Sequence, residues 1–373
     1  MSIAATPLDI PAAAPKRDYS LVGTSARSAV DTGLASAEWY HTEVPRKEMK
    51  ALMQREDGPA IRDTLLWFGL LLVTAAGGIV FYGSWWAVPF FFAYGTLYGS
   101  ASDARWHEMG HGTAFKTRWM NDWVYQIASF MVMRNPVTWR WSHARHHTDT
   151  IIVGRDAEIA VMRPPALFRV ILNFVGIFDV WYGMKALINN ALGRLSPDER
   201  DFIPESEQGK AVNAARVHVA IYAAAIGAAI GFGSWIPVLL IGGPRLYGCW
   251  HMVLVGLLQH GGLADNVNDH RLNSRTVYMN PVSRFIYMNM NYHVEHHMFP
   301  MVPFHALPKL HEAIKHDLPA PNTSILDGYR EMVPAFLRQL RNEDYFLKRE
   351  LPPTAKPYRE EFHQSDSVPS AAH

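Results

Sequence analysis

The feature that limits this chain most is a run of 19 residues without a charge, Thr64–Tyr82 (TLLWFGLLLVTAAGGIVFY). A helix over it is roughly 28 Å long, about one hydrocarbon core. A second apolar stretch, Trp85–Ser102, follows after only Gly83-Ser84, so the two form a tight hairpin. The pattern recurs at Val217–Gly233 and Ser234–Leu258, the latter interrupted by Pro237 and Gly242-Gly243-Pro244 and containing Arg245. Only 18% of the residues are charged, against roughly 25% in an ordinary soluble domain. Buried hairpins of a soluble enzyme are the alternative, but uncharged runs of this length are rare in soluble cores. The expectation is an all-α integral membrane protein with four transmembrane helices in two hairpins.

Orientation follows from Lys and Arg. Eight of them precede Thr64, and many occupy 103–216 and the stretch after Leu258, while the links near Gly83 and Gly233 carry none. Both hairpin tips therefore point outward and the large polar segments face the cytoplasm. Phe168–Leu192 is apolar with scattered charge and reads as lying along the membrane surface. Ile3–Pro15 lacks the apolar core of a secretory signal. The chain divides into an N-terminal segment 1–60, a membrane domain 61–320 and a C-terminal segment 321–373. The first 35 or so residues are expected to be mobile, and those from Pro352 a disordered tail.

Net charge is +1, which argues against a nucleic-acid binder. The single cysteine, Cys249, excludes a disulfide framework, a Cys-ligated zinc site and an iron–sulfur cluster within the chain. Histidine is the outlier. Eight of 18 fall in three five-residue windows: His107-Glu-Met-Gly-His111, His143-Ala-Arg-His146-His147 and His293-Val-Glu-His296-His297.

Residues three or four apart share a helix face, so each window can aim its imidazoles at a site. Neutral imidazole suits iron, copper, zinc or nickel. Eight exceed what one ion holds, so two metal ions are the simpler reading. All three windows fall on the same side of the membrane, near helix ends. Two rivals are weaker. HEMGH matches the H-E-x-x-H zinc protease motif, with Glu108 as general base, but that leaves HARHH and HVEHH without a role. A metal transporter needs polar groups at mid-membrane, where only Arg245 and His251 fall.

At these motifs the chain resembles the membrane fatty acid desaturase superfamily, whose boxes take the forms H-x(3–4)-H, H-x(2–3)-H-H and H-x(2)-H-H. Order and placement relative to the hairpins agree over about residues 60–320. The resemblance implies a mushroom-shaped helical fold. Its cytoplasmic cap holds two irons that activate dioxygen and remove hydrogen from an unactivated C–H bond. The product is a double bond, or a hydroxyl group as in the alkane hydroxylases, which share the H-E-x-G-H first box. HVEHH leans towards the desaturases. The run from Asn291 to Pro300, with Pro303-Phe304-His305-Ala306-Leu307, looks closest to a bacterial branch that resembles the rhizopine-catabolism oxygenase and the dihydrorhizobitoxine desaturase. The resemblance implies that some members of that branch act on small polar metabolites rather than on long acyl chains, so the family name alone does not imply a lipid substrate. A bacterial inner membrane is implied.

The resemblance adds His260, at the end of the fourth span, as a ninth ligand. Acceptors that fix the imidazole tautomers are sought among Glu108, Asp156, Asp265, Asp269 and Glu295, by proximity in sequence. His251 reads as packed or channel-lining, and His270, His305, His311 and His316 as surface residues or neighbours of the ligands. Trp85, Trp86, Phe90, Phe91 and Phe92 are candidates for a substrate path, although aromatics in spans usually pack or mark the interface. The chain has no haem segment and no dinucleotide loop. Electrons therefore come from a separate ferredoxin, rubredoxin or similar donor with its reductase, docked by residues such as Arg140, Arg145 and Arg155.

Overall fold

The computed structural model describes residues 17–362, which form helices joined by loops, with two isolated β-bridges and no strand among the described residues. Helices α1 (Thr24–Asp31) and α2 (Arg46–Leu52) precede the long α3 (Asp57–Val80). Next come α4 (Ala87–Thr96), a π-helical turn over Leu97–Ala101, and α5 (Ser102–Gly110), which run on without a break. Helices α6 (Arg118–Met131) and α7 (Pro136–Thr148) follow, then α8 (Leu167–Asn173), α9 (Ile177–Ala191), α10 (Pro197–Phe202) and α11 (Glu205–Phe232). The remaining helices are α12 (Ile236–Leu240), α13 (Pro244–Gly248), α14 (Trp250–His260), α15 (His270–Asn273), α16 (Pro281–Ile286), α17 (His293–Met298), α18 (Leu307–Ile314) and α19 (Ile325–Gln339).

Helix α3 buries a single stripe, Ala60, Thr64, Trp67, Leu71 and Gly78. Its other faces leave Leu65, Leu72, Val73 and Val80 between 65 and 75% exposed. A helix that is apolar all round yet packed on one side only needs a lipid environment for the rest. Segment Arg46–Val80, of which α3 is the long part, and α11 are long and apolar enough to cross a membrane; the α8–α9 pair, bent by 83°, would make a third. The other two expected spans take different forms. Trp85–Ser102 enters the helix that ends at Gly110, whose second half is polar and carries the first histidine motif. Ser234–Leu258 is broken into α12, α13 and α14, because Pro237 and Gly242-Gly243-Pro244 cannot continue a helix.

Two devices fix α5 against the membrane helices. Arg105 is fully buried and reaches Asp63 on α3 at 2.8 Å and the carbonyls of Phe285 and Ile286 at 3.2 Å. The π-turn supplies the second, because its widened backbone frees groups for tertiary bonds. Trp67 donates its indole N–H to Leu97 O at 3.0 Å. Ser100 Oγ donates to Gly248 O at 2.6 Å and accepts from Met252 N at 2.9 Å. Here the backbones of α4 and α13 touch: a Cβ on Gly248 would lie 1.8 Å from Gly95 O. Gly248→Ala is expected to cost about 1–3 kcal/mol by overpacking, read as a lower melting temperature in detergent.

The termini pack where mobility was expected. Arg17 pairs with Asp265 at 2.9 Å and Asp344 at 2.7 Å, and α1 buries Ala26 and Ala29. Residues 352–362 lie against a buried knot in which Arg271 bridges Asp269 at 2.8 Å and Asp317 at 3.0 Å. Arg271 also donates to the carbonyls of Lys356 and Pro357 and stacks over Tyr40, 3.7 Å from the ring centre. A buried guanidinium needs such partners, and chain ends provide carbonyls. The rest of the expected mobile N-terminus and tail, 1–16 and 363–373, lies outside the described residues.

Candidate metal centre

Four helices deliver the histidines. The end of α5 carries His107 and presents His111 at its cap, α7 carries His143, His146 and His147, α14 ends at His260, and α17 carries His293, His296 and His297. All nine come together. Ring nitrogens of His107, His111, His143, His147 and His296 lie within 4.8 Å of one another, and so do those of His146, His260 and His297. His293 adjoins the second group: its Nε2 is 3.0 Å from Nε2 of both His260 and His297.

The groups cut across the sequence motifs. His143 and His147, one turn apart, face the first group, while His146 faces the second. In α17, His296 joins the first and His297 the second. Neighbours on a helix point about 100° apart, so an adjacent His-His pair straddles two positions. The sequence alone assigned each motif to one site.

The donor set fits cations. His107 Nε2 faces His296 Nε2 at 2.9 Å, and His143 Nε2 faces His111 at 3.0 Å and His147 at 3.2 Å. His260 Nδ1 lies 2.7 Å from Asn273 O, and a carbonyl can only accept, so Nδ1 holds the proton and Nε2 is a bare lone pair. His146 Nδ1 lies 2.8 Å from Asp156, which fixes the same tautomer. Lone pairs converging at such distances repel unless a cation sits among them. Burial pulls His111 and His260 to about 3 and six others, His107, His143, His147, His293, His296 and His297, well below the usual value. Neutral imidazole is the ligating form. For His146 the effect of burial is outweighed by the Asp156 carboxylate, which raises it.

Of the five carboxylates expected to orient ligands, only Asp156 bonds one. Glu108 accepts from Thr113 Oγ1 at 3.1 Å and Phe304 N at 3.0 Å. Glu295 holds Thr276 at 2.5 Å and His311. Asp265 serves Arg17 and Arg163, and Asp269 serves Arg271. Glu108 and Glu295 are flanked by candidate ligands in sequence, but the helix turns them to other partners. Missed by sequence proximity are Glu158, 2.8 Å from His143 Nδ1, Thr150, 3.2 Å from His297 Nδ1, and Asn273. They arrive through the fold-back of the loop after α7 and through α15. The engagement of Glu108, and the other imidazoles around His107 and His111, do not suit a two-histidine protease site.

The remaining histidines divide. His251 is packed, with Nε2 3.1 Å from Ser283 Oγ. His270 is buried, stacked on Trp39 at 4.3 Å and 5.1 Å from the His297 ring. His311 is also buried, whereas His316 is exposed.

A chamber of about 140 Å³ opens beside His107, His143, His146 and His260, walled by Trp106, Trp139 and Met252. Past Trp106, Trp139 and Glu158 it adjoins a cavity of about 650 Å³ against α9 and α10. The span aromatics line neither: Trp85 is 90% exposed and Phe92 53% exposed, while Phe90 and Phe91 pack on Gly77 and Gly78.

Residues 83–329 match the family model described as fatty acid desaturase. Among curated proteins, an omega-3 fatty acid desaturase, chloroplastic, of Glycine max is 24% identical over 282 residues, covering 68% of this chain and 59% of the relative. The protein of the same name from Sesamum indicum is 23% identical over 286 residues, 70% and 61% of the two chains. A delta(12)-fatty-acid desaturase of Arabidopsis thaliana is 30% identical over 89 residues, 24% and 20% of the two chains. The chain thus spans about three fifths of the length of the two longer matches. The all-helical fold, the apolar helices, the histidine groups compatible with a metal site and the match over residues 83–329 converge, and the chain belongs to the fatty acid desaturase family.

Proposed function

We propose that this protein is a membrane-bound oxidoreductase that uses two irons and dioxygen to desaturate a C–C bond of a fatty-acyl or related aliphatic substrate. The observation that carries the reading is the division of nine buried or half-buried imidazoles into two groups whose nitrogens face one another. Residues His107, His111, His143, His147 and His296 would hold one iron, and His146, His260, His293 and His297 the other. Iron so held supplies dioxygen reduction and hydrogen abstraction from an unactivated C–H bond. The protein's own residues do the rest: Asp156, Glu158 and Asn273 fix imidazole tautomers, and Trp106 and Trp139 wall the chamber beside the site. The balance is R–CH2–CH2–R′ + O2 + 2 e− + 2 H+ giving R–CH=CH–R′ + 2 H2O, with the electrons from a separate carrier protein. The chain crosses the membrane four times, by the helical hairpin α3–α5 and by α11 with the broken α12–α14, and the site and both termini face the cytoplasm of a bacterial cell.

Hydroxylation is the second reading. Charged Asp103, Glu158, Arg163 and Asp265 line the small chamber, which favours a substrate with a polar group and agrees with the bacterial branch of small-metabolite oxygenases. One experiment tests both. Detergent-purified protein is expected to hold about two irons per chain. Turnover under 18O2 with a reduced ferredoxin should give an alkene free of label. A labelled alcohol would replace desaturation by hydroxylation. A single zinc and no oxidised product would overturn both.

A further inference from the structure

The substrate-sized cavities lie on the Trp106–Trp139 side of the histidines. A different pocket, of about 330 Å³, shares no lining residue with these two and reaches the first group at His111. Its walls carry Arg55, Lys116, Arg118 and Arg140 against one acid, Asp122. That acid is shared, lying 3.2 Å from Arg140 and 3.9 Å from Arg118, so positive charge remains in excess. The Arg118 side chain is 94% exposed. His111, like His107 and His147, is half-buried, and of the first group it alone is among the residues lining this pocket.

The pocket lies at the water-facing end of the first hairpin. The α4–α5 rod from Ala87 to Gly110 is about 36 Å long, more than a hydrocarbon core. Its far end meets the start of α3, where Asp57 accepts from Thr117 N at 2.8 Å. Arg55, Lys116 and Arg118 thus cluster where both helices have left the bilayer.

We propose that this basic pocket is the docking face of an acidic one-electron carrier protein, whose redox centre is brought against His111. The proposal rests on the oxidoreductase reading, which needs two electrons per turnover from outside the chain. Charge complementarity selects the partner: four cations around one entrance steer and orient an acidic surface. The entrance is too narrow for a folded protein to enter, so the carrier stops at the rim, and His111 is the ligand that extends to it. Donor and substrate thereby use different pockets and do not compete. Arg140 is part of this face; Arg145 and Arg155, expected to share the role, instead pair with Asp201 and Asp149.

The test uses the full chain, metal-loaded, in nanodiscs, with an acidic [2Fe–2S] ferredoxin as probe. Lys116→Glu with Arg118→Glu should weaken ferredoxin binding roughly tenfold or more at low salt, with the difference lost at high salt. Arg341→Glu, on another surface, should not. Carbodiimide should cross-link ferredoxin carboxylates to Lys116. Turnover driven by dithionite and methyl viologen, which needs no docking, should stay within about twofold of wild type. Unchanged ferredoxin affinity in the double variant overturns the docking face even where viologen drives turnover. Loss of phosphatidylglycerol retention alone would assign the pocket to a lipid headgroup and also overturn it. Ferredoxin that docks here while no reductant yields product overturns the oxidoreductase reading and leaves the docking face.

Discussion

His296→Ala and His297→Ala are each expected to abolish turnover, while emptying different metal positions. His296 belongs to the group with His107, His111, His143 and His147; His297 belongs to the group with His146 and His260. The two residues are adjacent in the chain, equally buried and on one short helix, so effects on folding should be similar. What differs is the position that loses a nitrogen. Metal content should fall from about two irons towards one in each variant, and the spectroscopic signature of the remaining iron should differ between them. Asp156→Asn should be milder, weakening metal retention by about 10–100-fold, because it releases the orientation of His146 and not a ligand. A fully active His146→Ala or His296→Ala variant would sink the assignment of these residues as ligands.

The second large effect is structural. Arg245→Ala should destabilise the protein by about 3–5 kcal/mol, seen as a marked drop in the detergent melting temperature. Arg245 bridges Asp103 on α5 at 2.8 Å and Asp179 on α9 at 2.7 Å, and Arg134 meets Asp179 at 2.5 Å. All but Arg134 are nearly inaccessible to solvent. Removing the guanidinium leaves Asp103 unpaired one turn below His107, a cost that lies in the stranded charge more than in the lost attraction. Arg245→Ala with Asp103→Asn should recover part of the loss; no recovery would mean that the carbonyl contact to Gly99 matters more.

How much of this was legible in the sequence depends on the range of the interaction. The three histidine motifs were legible as candidate ligands because side-chain type and helical spacing mark them, and His260 was added by the family resemblance alone; the structure brings all nine imidazoles together. The sorting into two groups was not legible, since it depends on where four helices meet in space. Glu158 escaped because the chain between it and His143 folds back, whereas Glu108 and Glu295 sit beside ligands in sequence and face other partners. Apolar runs marked α3 and α11 well. At Ser234–Leu258 the hydropathy continues across Pro237 and Gly242-Gly243-Pro244, and the helix breaks where those residues interrupt the run. Arg17 and Lys356 lie in polar, proline-rich ends with no local pattern, and only their distant partners, Asp265 and the Asp317–Arg271 knot, order them.

The contact of Gly95 with Gly248 has a mechanical meaning. With no side chain between the two backbones, the α4–α5 rod and the α13–α14 segment cannot slide past one another without collision. One carries His107 and His111, the other His260, so the offset between their shares of the site is set by main-chain atoms. Because α3 is tied to the same rod through Asp63 and Arg105, tilt of α3 in a bilayer of different thickness would carry the rod and the α13–α14 segment along together, and the spacing of their imidazoles would be kept.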